Sequence, residues 1–351
     1  MSPKLFITGG TGYIGGSVLH AIATTPPEYT ITVLLRNIPA LFTTTYPNVR
    51  IVRGTYDSTS LLTSEAAQAD IVVHNGDSDH EPSLNALIAG LLQKENETGQ
   101  PGVLIHLSGT GIVSDFQTSP STLGTQSSEI WSDIDASSLQ KIRSRPDASL
   151  HRNTEKILHA AAKEHANRIN IAIMCPPDIY GPGLGPGRTS SALIPLYVQE
   201  IKKLGTSFYL NEGTNTRSWV HIKDVTRLYL RVVETAVSTL STPSSAGKFF
   251  NENGYYFAST QEHTQIALAR AVGGALHKHG VIESSEPRAI GLEELDGMLK
   301  GLLWPGLARY LFASNSRTRA ERAGQGWGWK GEEEGLLETV EADILVALKE
   351  G

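Results

Sequence analysis

KLFITGGTGYIG, residues 4–15, decides the fold. Lys4 to Thr8 is a short apolar run that stops at Gly9 and Gly10, and from Tyr13 to Thr24 the apolar residues recur at helical spacing. A strand passing straight into a helix through Gly9, Gly12 and Gly15 has a physical use. Gly9 supplies the tight turn, Gly12 lets a pyrophosphate approach the backbone, and Gly15 lets the helix lie close to the strand. The unpaired N–H groups at the helix start then face the anion.

The pattern continues outward from this turn. Apolar runs at 29–35, 49–52, 69–74, 103–108 and 170–175 alternate with helix-period segments at 83–94, 151–165, 193–204 and 224–237. Runs rich in Val and Ile and bounded by turn residues suit strands buried on both faces. The expected class is therefore α/β, a doubly wound parallel sheet. KFFNEN (248–253) is expected to rejoin that sheet, and helices at 261–272, 291–302 and 333–349 form a smaller C-terminal substrate lobe. The expected division is a dinucleotide-binding Rossmann domain of 1–180 and 217–253, with a substrate lobe of 181–216 and 254–351. Within the first, residues 114–150, rich in Ser, Thr, Asp and Pro, form an insertion able to serve as a lid.

Composition removes several functions. The 351 residues carry 30 Lys and Arg against 36 Asp and Glu, without a basic block, so nucleic acid is not an expected partner. No apolar run nears the roughly 20 residues that cross a bilayer, and the N-terminus opens directly into a strand, which points to a cytoplasmic chain without a membrane partner. The single cysteine, Cys175, sits in the apolar run IAIMC and is expected to be an inert buried thiol. No metal site is expected.

The TGxxGxxG spacing of Thr8 to Gly15 resembles the short-chain dehydrogenase/reductase superfamily. Ile179-Tyr180-Gly181-Pro182-Gly183 and the segment Arg217 to Val225 resemble its extended, epimerase/dehydratase-like branch. The resemblance implies a nicotinamide cofactor on Gly9, Thr11, Gly12, Tyr13, Ile14 and Gly15. Further contacts are implied from Asp57, Asn75, Gly76, Ser108, Lys156 and Pro176. Where an acidic residue would accept the ribose of NAD, the chain has Arg36, which suits the 2′-phosphate of NADP(H). Arg217 matches a position that meets nucleotide phosphate in epimerase-like relatives.

The family's catalysis uses a Tyr and a Lys four residues apart on a helix, with a strand-end hydroxyl. Thr110 fits the hydroxyl slot and Lys156 the lysine, but the residue four before Lys156 is Arg152, a poor proton donor at neutral pH. No tyrosine occurs between Tyr56 and Tyr180. His151 is the nearest titratable substitute. It lies about 100° around the helix from Arg152 and reaches the site only if the helix starts late or is distorted. Tyr180 offers a phenol, although tyrosines in such loops mostly pack. Asp115 and Asp133 in the insertion have no positional support. At the start of the 224–237 helix, Asp224 is expected as N-cap, with His221 packed or hydrogen-bonded at the turn. Trp304, Trp327 and Trp329 are expected to pack.

The reading that follows is an NADP(H)-dependent reductase acting on a small carbonyl or enone with a non-standard proton donor, compatible with a homodimer. Two alternatives stand beside it: a cofactor-retaining epimerase, isomerase or dehydratase, and a non-catalytic NADP(H) sensor resembling the NmrA-like regulators.

Overall fold

The computed structural model describes residues 2–25, 29–117 and 119–350. In the N-terminal half, strands β1 (Lys4–Thr8), β2 (Thr30–Leu35), β3 (Arg50–Arg53), β4 (Ile71–His74) and β5 (Gly102–Leu107) are joined by helices α1 (Tyr13–Thr24), α2 (Phe42–Thr45), α3 (Thr59–Ala67) and α4 (Glu81–Thr98). The insertion carries β6 (Trp131–Ser132) and α5 (Ala136–Arg143). Next come α6 (Arg152–Glu164), β7 (Ile169–Cys175), β8 (Asp178–Tyr180), α7 (Leu193–Leu204), β9 (Phe208–Leu210), β10 (Thr216–His221) and α8 (Ile222–Ser241). The C-terminal part holds β11 (Tyr255–Phe257), β12 (Gln261–Thr264), α9 (Gln265–Lys278), β13 (Arg288–Ile290), α10 (Leu292–Asp296), α11 (Leu307–Ala313), β14 (Thr318–Arg319), α12 (Glu321–Trp327) and α13 (Leu336–Glu350).

Seven strands form one parallel sheet in the order β11-β7-β5-β4-β1-β2-β3. The period-2 geometry of a strand sorts its side chains between two cores. Leu5, Ile7, Ile71, Val73, Val103 and Ile105 meet α1 and α8 on one face, while Phe6, Val72 and Leu104 meet α3, α4 and α6 on the other. The strand order reverses between β1 and β4, which opens the crevice where doubly wound sheets take ligands. A separate core of Tyr180, Tyr197, Phe208, Trp219, Leu268, Phe312 and Ile344 fills the C-terminal part.

Three expectations change. The strand that rejoins the sheet is β11, not 248–253: Asn251 adopts a left-handed φ of 58°, and its side-chain oxygen accepts from the Ile171 N–H in place of strand pairing. Gln261–Thr264 pairs antiparallel with β10, so the helix there begins only at Gln265, capped by the Thr264 hydroxyl. The 291–302 helix stops at Asp296, because Leu299, Gly301 and Leu303 all take positive φ.

The insertion is pinned rather than free-standing. β6 pairs with β14, Asp115 accepts from both the backbone and side-chain amides of Asn315, and Asp133 accepts from the N–H groups of Phe257, Glu321 and Arg322. Burial pushes the Asp133 carboxyl up to about 6, while those donors and the Arg322 charge pull the other way. Trp327 stacks on Phe249 and Tyr256, and Trp304 packs on Phe116 and Tyr310. No helix among the described residues is long and apolar enough to cross a membrane.

Candidate active site

The glycine turn follows β1. Gly9 has φ 74°, and a Cβ there would lie 2.1 Å from the Asn75 carbonyl oxygen; one on Gly15 would lie 2.4 Å from the Gly9 oxygen. These glycines bring β1, α1 and the end of β4 into contact. Gly12, the N-cap of α1, is exposed, and a Cβ there would meet only the Gly9 oxygen at 3.4 Å. The start of α1 has no side-chain cap and no acidic residue in its first turn, so its positive end is available to an anion. The Tyr13 hydroxyl donates to the Gly181 carbonyl at 2.6 Å, and the partly buried Ile14 packs on the α1 core. Residues 181–191 run across this turn: Arg188 N–H donates to the Thr11 carbonyl, and Leu184 N–H to the Ser17 hydroxyl.

At the end of β2, Arg36 is exposed. It lies close enough to Tyr56 to lower that phenol, which burial foremost and Asp77 next push up. Tyr56 packs against Gly76, which leaves no room for a larger residue at that position. Asp57, one of the contacts that the resemblance implies, bonds the His80 ring at 3.1 Å. Asn75 is 5% exposed, and neither polar atom of its buried side chain has a partner. An unsatisfied buried amide at the switch point fits a ligand that the crevice is built to receive. The free helix end, the open Gly12 and this amide together fit a dinucleotide.

The helix expected to carry catalysis has a different register. Lys156 is half-exposed and pairs with Asp147 at 2.8 Å; Arg152 donates to the carbonyls of Arg143 and Arg145. Both point to the insertion, away from the end of β5. His151 and Glu155, one residue earlier at the same four-residue spacing, point inward. His151 takes a left-handed φ of 62° as N-cap, so the helix starts at Arg152. That late start is the condition under which His151 reaches the site.

The His151 ring lies beside the end of β5, with Nε2 only 3.0 Å from where a Gly109 Cβ would stand. Its Nδ1 meets Asp79 Oδ1 at 2.9 Å and Ser78 Oγ at 3.4 Å. Thr154 Oγ1 donates to the Ser78 carbonyl, and Asn153 Nδ2 to the Asp79 carbonyl, fastening α6 to the loop after β4. Beneath lies His106, fully buried with both ring nitrogens unpartnered; burial, with His74 and His151 nearby, holds it well below its ordinary value.

Ser108 Oγ donates to Glu155 Oε1 at 2.6 Å, and Tyr255 OH donates to the same oxygen at 3.1 Å. Cys175, buried, is pushed up by burial and then by Glu155, as an inert thiol would be. Thr110 is buried next to Gly109, its amide held by the Pro176 carbonyl and its own carbonyl by Ser316 Oγ. Tyr180 is not part of this group: its hydroxyl donates to the Glu334 carbonyl and accepts from Gln261, and burial pushes it up to about 12. His221, not Asp224, caps α8, accepting from Lys223 N–H, while Asp224 pairs with Arg227. Arg217 is buried and bound by both oxygens of Asp178, the Tyr310 carbonyl and Ser314 Oγ. Among the described residues no three His, Cys, Asp or Glu side chains stand together to hold a metal.

Asp79 and Glu155 were missed. Asp79 sits in an ordinary-looking polar loop, and Glu155 was hidden by the fit of its neighbour Lys156 to the family lysine.

The NAD dependent epimerase/dehydratase family matches residues 5–242. Oxidase ucsJ of Acremonium sp is 28% identical over 334 residues, 94% of this chain and 93% of that protein. Among solved structures, DesIV, a dTDP-glucose 4,6-dehydratase from Streptomyces venezuelae with NAD bound, superposes with a TM-score of 0.59 at 19% identity, covering 99% of this chain and 97% of its own. The UDP-glucose 4-epimerase of Thermotoga maritima gives 0.62 at 14% identity, covering 99% of each chain. The crevice, the glycine turn and the match over most of the sheet agree: the chain belongs to the NAD dependent epimerase/dehydratase family, in the extended short-chain dehydrogenase/reductase branch.

Proposed function

We propose that the protein is an NADP(H)-dependent oxidoreductase for a small organic substrate, with His151 carrying the proton that the family moves through tyrosine. The observation that carries this reading is the left-handed turn at His151, which sets Nε2 against Gly109 at the end of β5 while Asp79 holds Nδ1. When bound, the cofactor supplies hydride exchange at its nicotinamide. The residues of this chain do the rest. The turn from Gly9 to Gly15 binds the pyrophosphate through backbone N–H groups, and Arg36 binds the 2′-phosphate. Asn75 and Gly76 line the crevice. Thr110 orients the substrate oxygen, and His151 exchanges its proton with it.

Arg217 argues against a nucleotide-sugar substrate. Burial works against its charge and Asp178 more than restores it, so the guanidinium is held above its ordinary value and is already occupied. Lys156 has no part in the site.

The test is turnover of the full chain with NADPH or NADP⁺ against a panel of carbonyls, enones and alcohols. His151→Asn is expected to lower kcat by about 100-fold or more, as loss of a proton-transfer group does, with cofactor affinity unchanged. Lys156→Ala should stay within about twofold, because its partner is a surface carboxylate. Full turnover in His151→Asn overturns the assignment, and affinities that differ between NADP⁺ and NADPH in a protein without turnover would favour the sensor.

A further inference from the structure

We propose that residues 181–188 form a strap docked on the first turn of α1, that Asp343 of α13 holds its root, and that the charge on Asp343 sets how readily the strap lifts and a bound dinucleotide exchanges. This rests on the reading of the glycine turn as the seat of the cofactor, and adds to it a positioning residue from the far end of the chain.

The strap is shaped for this contact. Gly183, Gly185 and Gly187 each turn their missing side chain to α1 or its approach: a Cβ would lie 2.9 Å from the Tyr13 ring, 2.4 Å from the Gly16 backbone and 2.2 Å from the Thr11 carbonyl oxygen. A side chain at these positions would push the strap off the helix. Three hydrogen bonds fix the arrangement. Leu184 N–H donates to Ser17 Oγ at 3.0 Å, Arg188 N–H to the Thr11 carbonyl at 2.9 Å, and the Tyr13 hydroxyl to the Gly181 carbonyl at 2.6 Å. Thr11 to Ser17 include the N–H groups that would meet the pyrophosphate, so the docked strap keeps that turn preorganised and the dinucleotide leaves when the strap lifts.

Gly181 is the root. It takes φ 87°, and a Cβ there would lie 2.2 Å from His221 Nε2. Its N–H donates to both carboxylate oxygens of Asp343, at 3.1 and 3.0 Å. Asp343 is 7% exposed, and among the described residues no cation pairs with it. One N–H does not offset the desolvation of a buried carboxylate. The ionised form is therefore relieved when the strap lifts and water reaches it, while the neutral form stays buried at no such cost. Burial accordingly pushes Asp343 up to about 6, against the pull of the Gly181 N–H. A carboxyl whose value is higher docked than open favours the docked form when protonated, so acid closes the strap and neutral pH frees it.

The surrounding groups do not take over this role. Tyr13 and Tyr180 are phenols that burial pushes up, burial holds His221 below its ordinary value, and Arg188 donates to the Ser190 and Ser191 carbonyls. On α7, α9 and α13, Glu200 pairs with Lys203, Glu341 pairs with Lys278 and His279, and Glu338 acts on His263. An oxidoreductase exchanges its nicotinamide at every turnover, and an uncompensated charge at the root keeps the strap able to lift at neutral pH.

The experiment follows release of NADPH, displaced from the full chain by excess NADP⁺, by stopped-flow fluorescence at pH 7.5 and 5.5. With Asp343 at about 6 when docked and at its ordinary 3.8 when open, the rate is expected to fall about fourfold on acidification. Asp343→Asn keeps the acceptor oxygen and removes the charge, with the Ser191 hydroxyl near enough to take an amide proton. It should release NADPH at least about fourfold more slowly than wild type at pH 7.5, with no pH dependence. Tyr13→Phe, which cuts a bond between strap and helix, should release faster and keep the pH dependence. A rate that is flat in the wild type, or a pH dependence that survives in Asp343→Asn and so belongs to His221, overturns the proposal. Hydrogen exchange of the Leu184 and Arg188 amides, corrected for the intrinsic effect of pH, reads the strap in the wild-type chain without cofactor. Protection should rise about fourfold at pH 5.5, and unchanged protection overturns the latch. A chain that shows this rise but binds neither NADPH nor NADH loses only the cofactor reading, whereas one that binds NADPH with flat protection loses only the latch.

Discussion

Arg36 stands exposed at the tip of β2, beside Tyr56 and near the crevice. A guanidinium in that place is suited to a phosphate ester and adds little for a ribose hydroxyl. Arg36→Ala should therefore weaken NADPH by about 10- to 100-fold, the range of one charge-assisted hydrogen bond, and leave NADH nearly unchanged. Fluorescence titration of both cofactors checks it, and equal losses for the two would contradict the role. At this scale the sequence was informative wherever a residue acts through its own backbone or charge. Gly9 and Gly15 do so, and were legible. Asn75 was legible as a position, but its two unpaired polar atoms were not, because satisfaction depends on neighbours that the sequence does not name.

Helix α6 shows how a one-residue step changes a site. Its periodicity predicts a helix from His151, and the structure starts it at Arg152. Histidine is among the residues that tolerate a left-handed backbone, yet nothing local demands it there. The turn is held by tertiary bonds from Thr154 and Asn153 to the loop after β4, which lie 76 and 74 residues away. Lys156 matched the family spacing and faced the wrong way for that reason. The insertion has the same character. Asp133 had no readable role, because its donors sit on β11 and α12. Removing it by Asp133→Ala leaves three N–H groups without their acceptor. We expect a loss of roughly 3 kcal/mol, at about 1 kcal/mol for each bond, measured by urea unfolding. A change within about 0.5 kcal/mol, the range of ordinary surface substitutions, would show that the insertion is not pinned there.

For the molecule as a whole, buried ionisable groups set opposing responses to acid. Burial, and then His80, hold His74 down to about 4 from its ordinary 6.5. The unfolded chain therefore takes up a proton below 6.5 that the folded chain refuses until about 4, and stability is lost as pH falls across that window, by roughly 3 kcal/mol. Asp133 and Asp343, each pushed up by burial to about 6, act in the opposite sense, with stability falling as pH rises from about 4 towards 6. The His74 contribution emerges as a difference. Unfolding free energies of wild type and His74→Gln, measured at pH 7 and pH 4, should diverge by that amount, and parallel behaviour would refute it.

The carbonyl of Thr110 is held by a hydroxyl 206 positions later, and the Asp133 carboxylate by amides 188 and 189 positions later. Translation at about 5–20 residues per second puts roughly 10–40 s between the emergence of each group and that of its partner. The sheet can assemble on the ribosome while the end of β5 and the insertion wait for the tail. A nascent chain stalled before residue 316 would thus hold its glycine turn while the Thr110 carbonyl still lacked its donor.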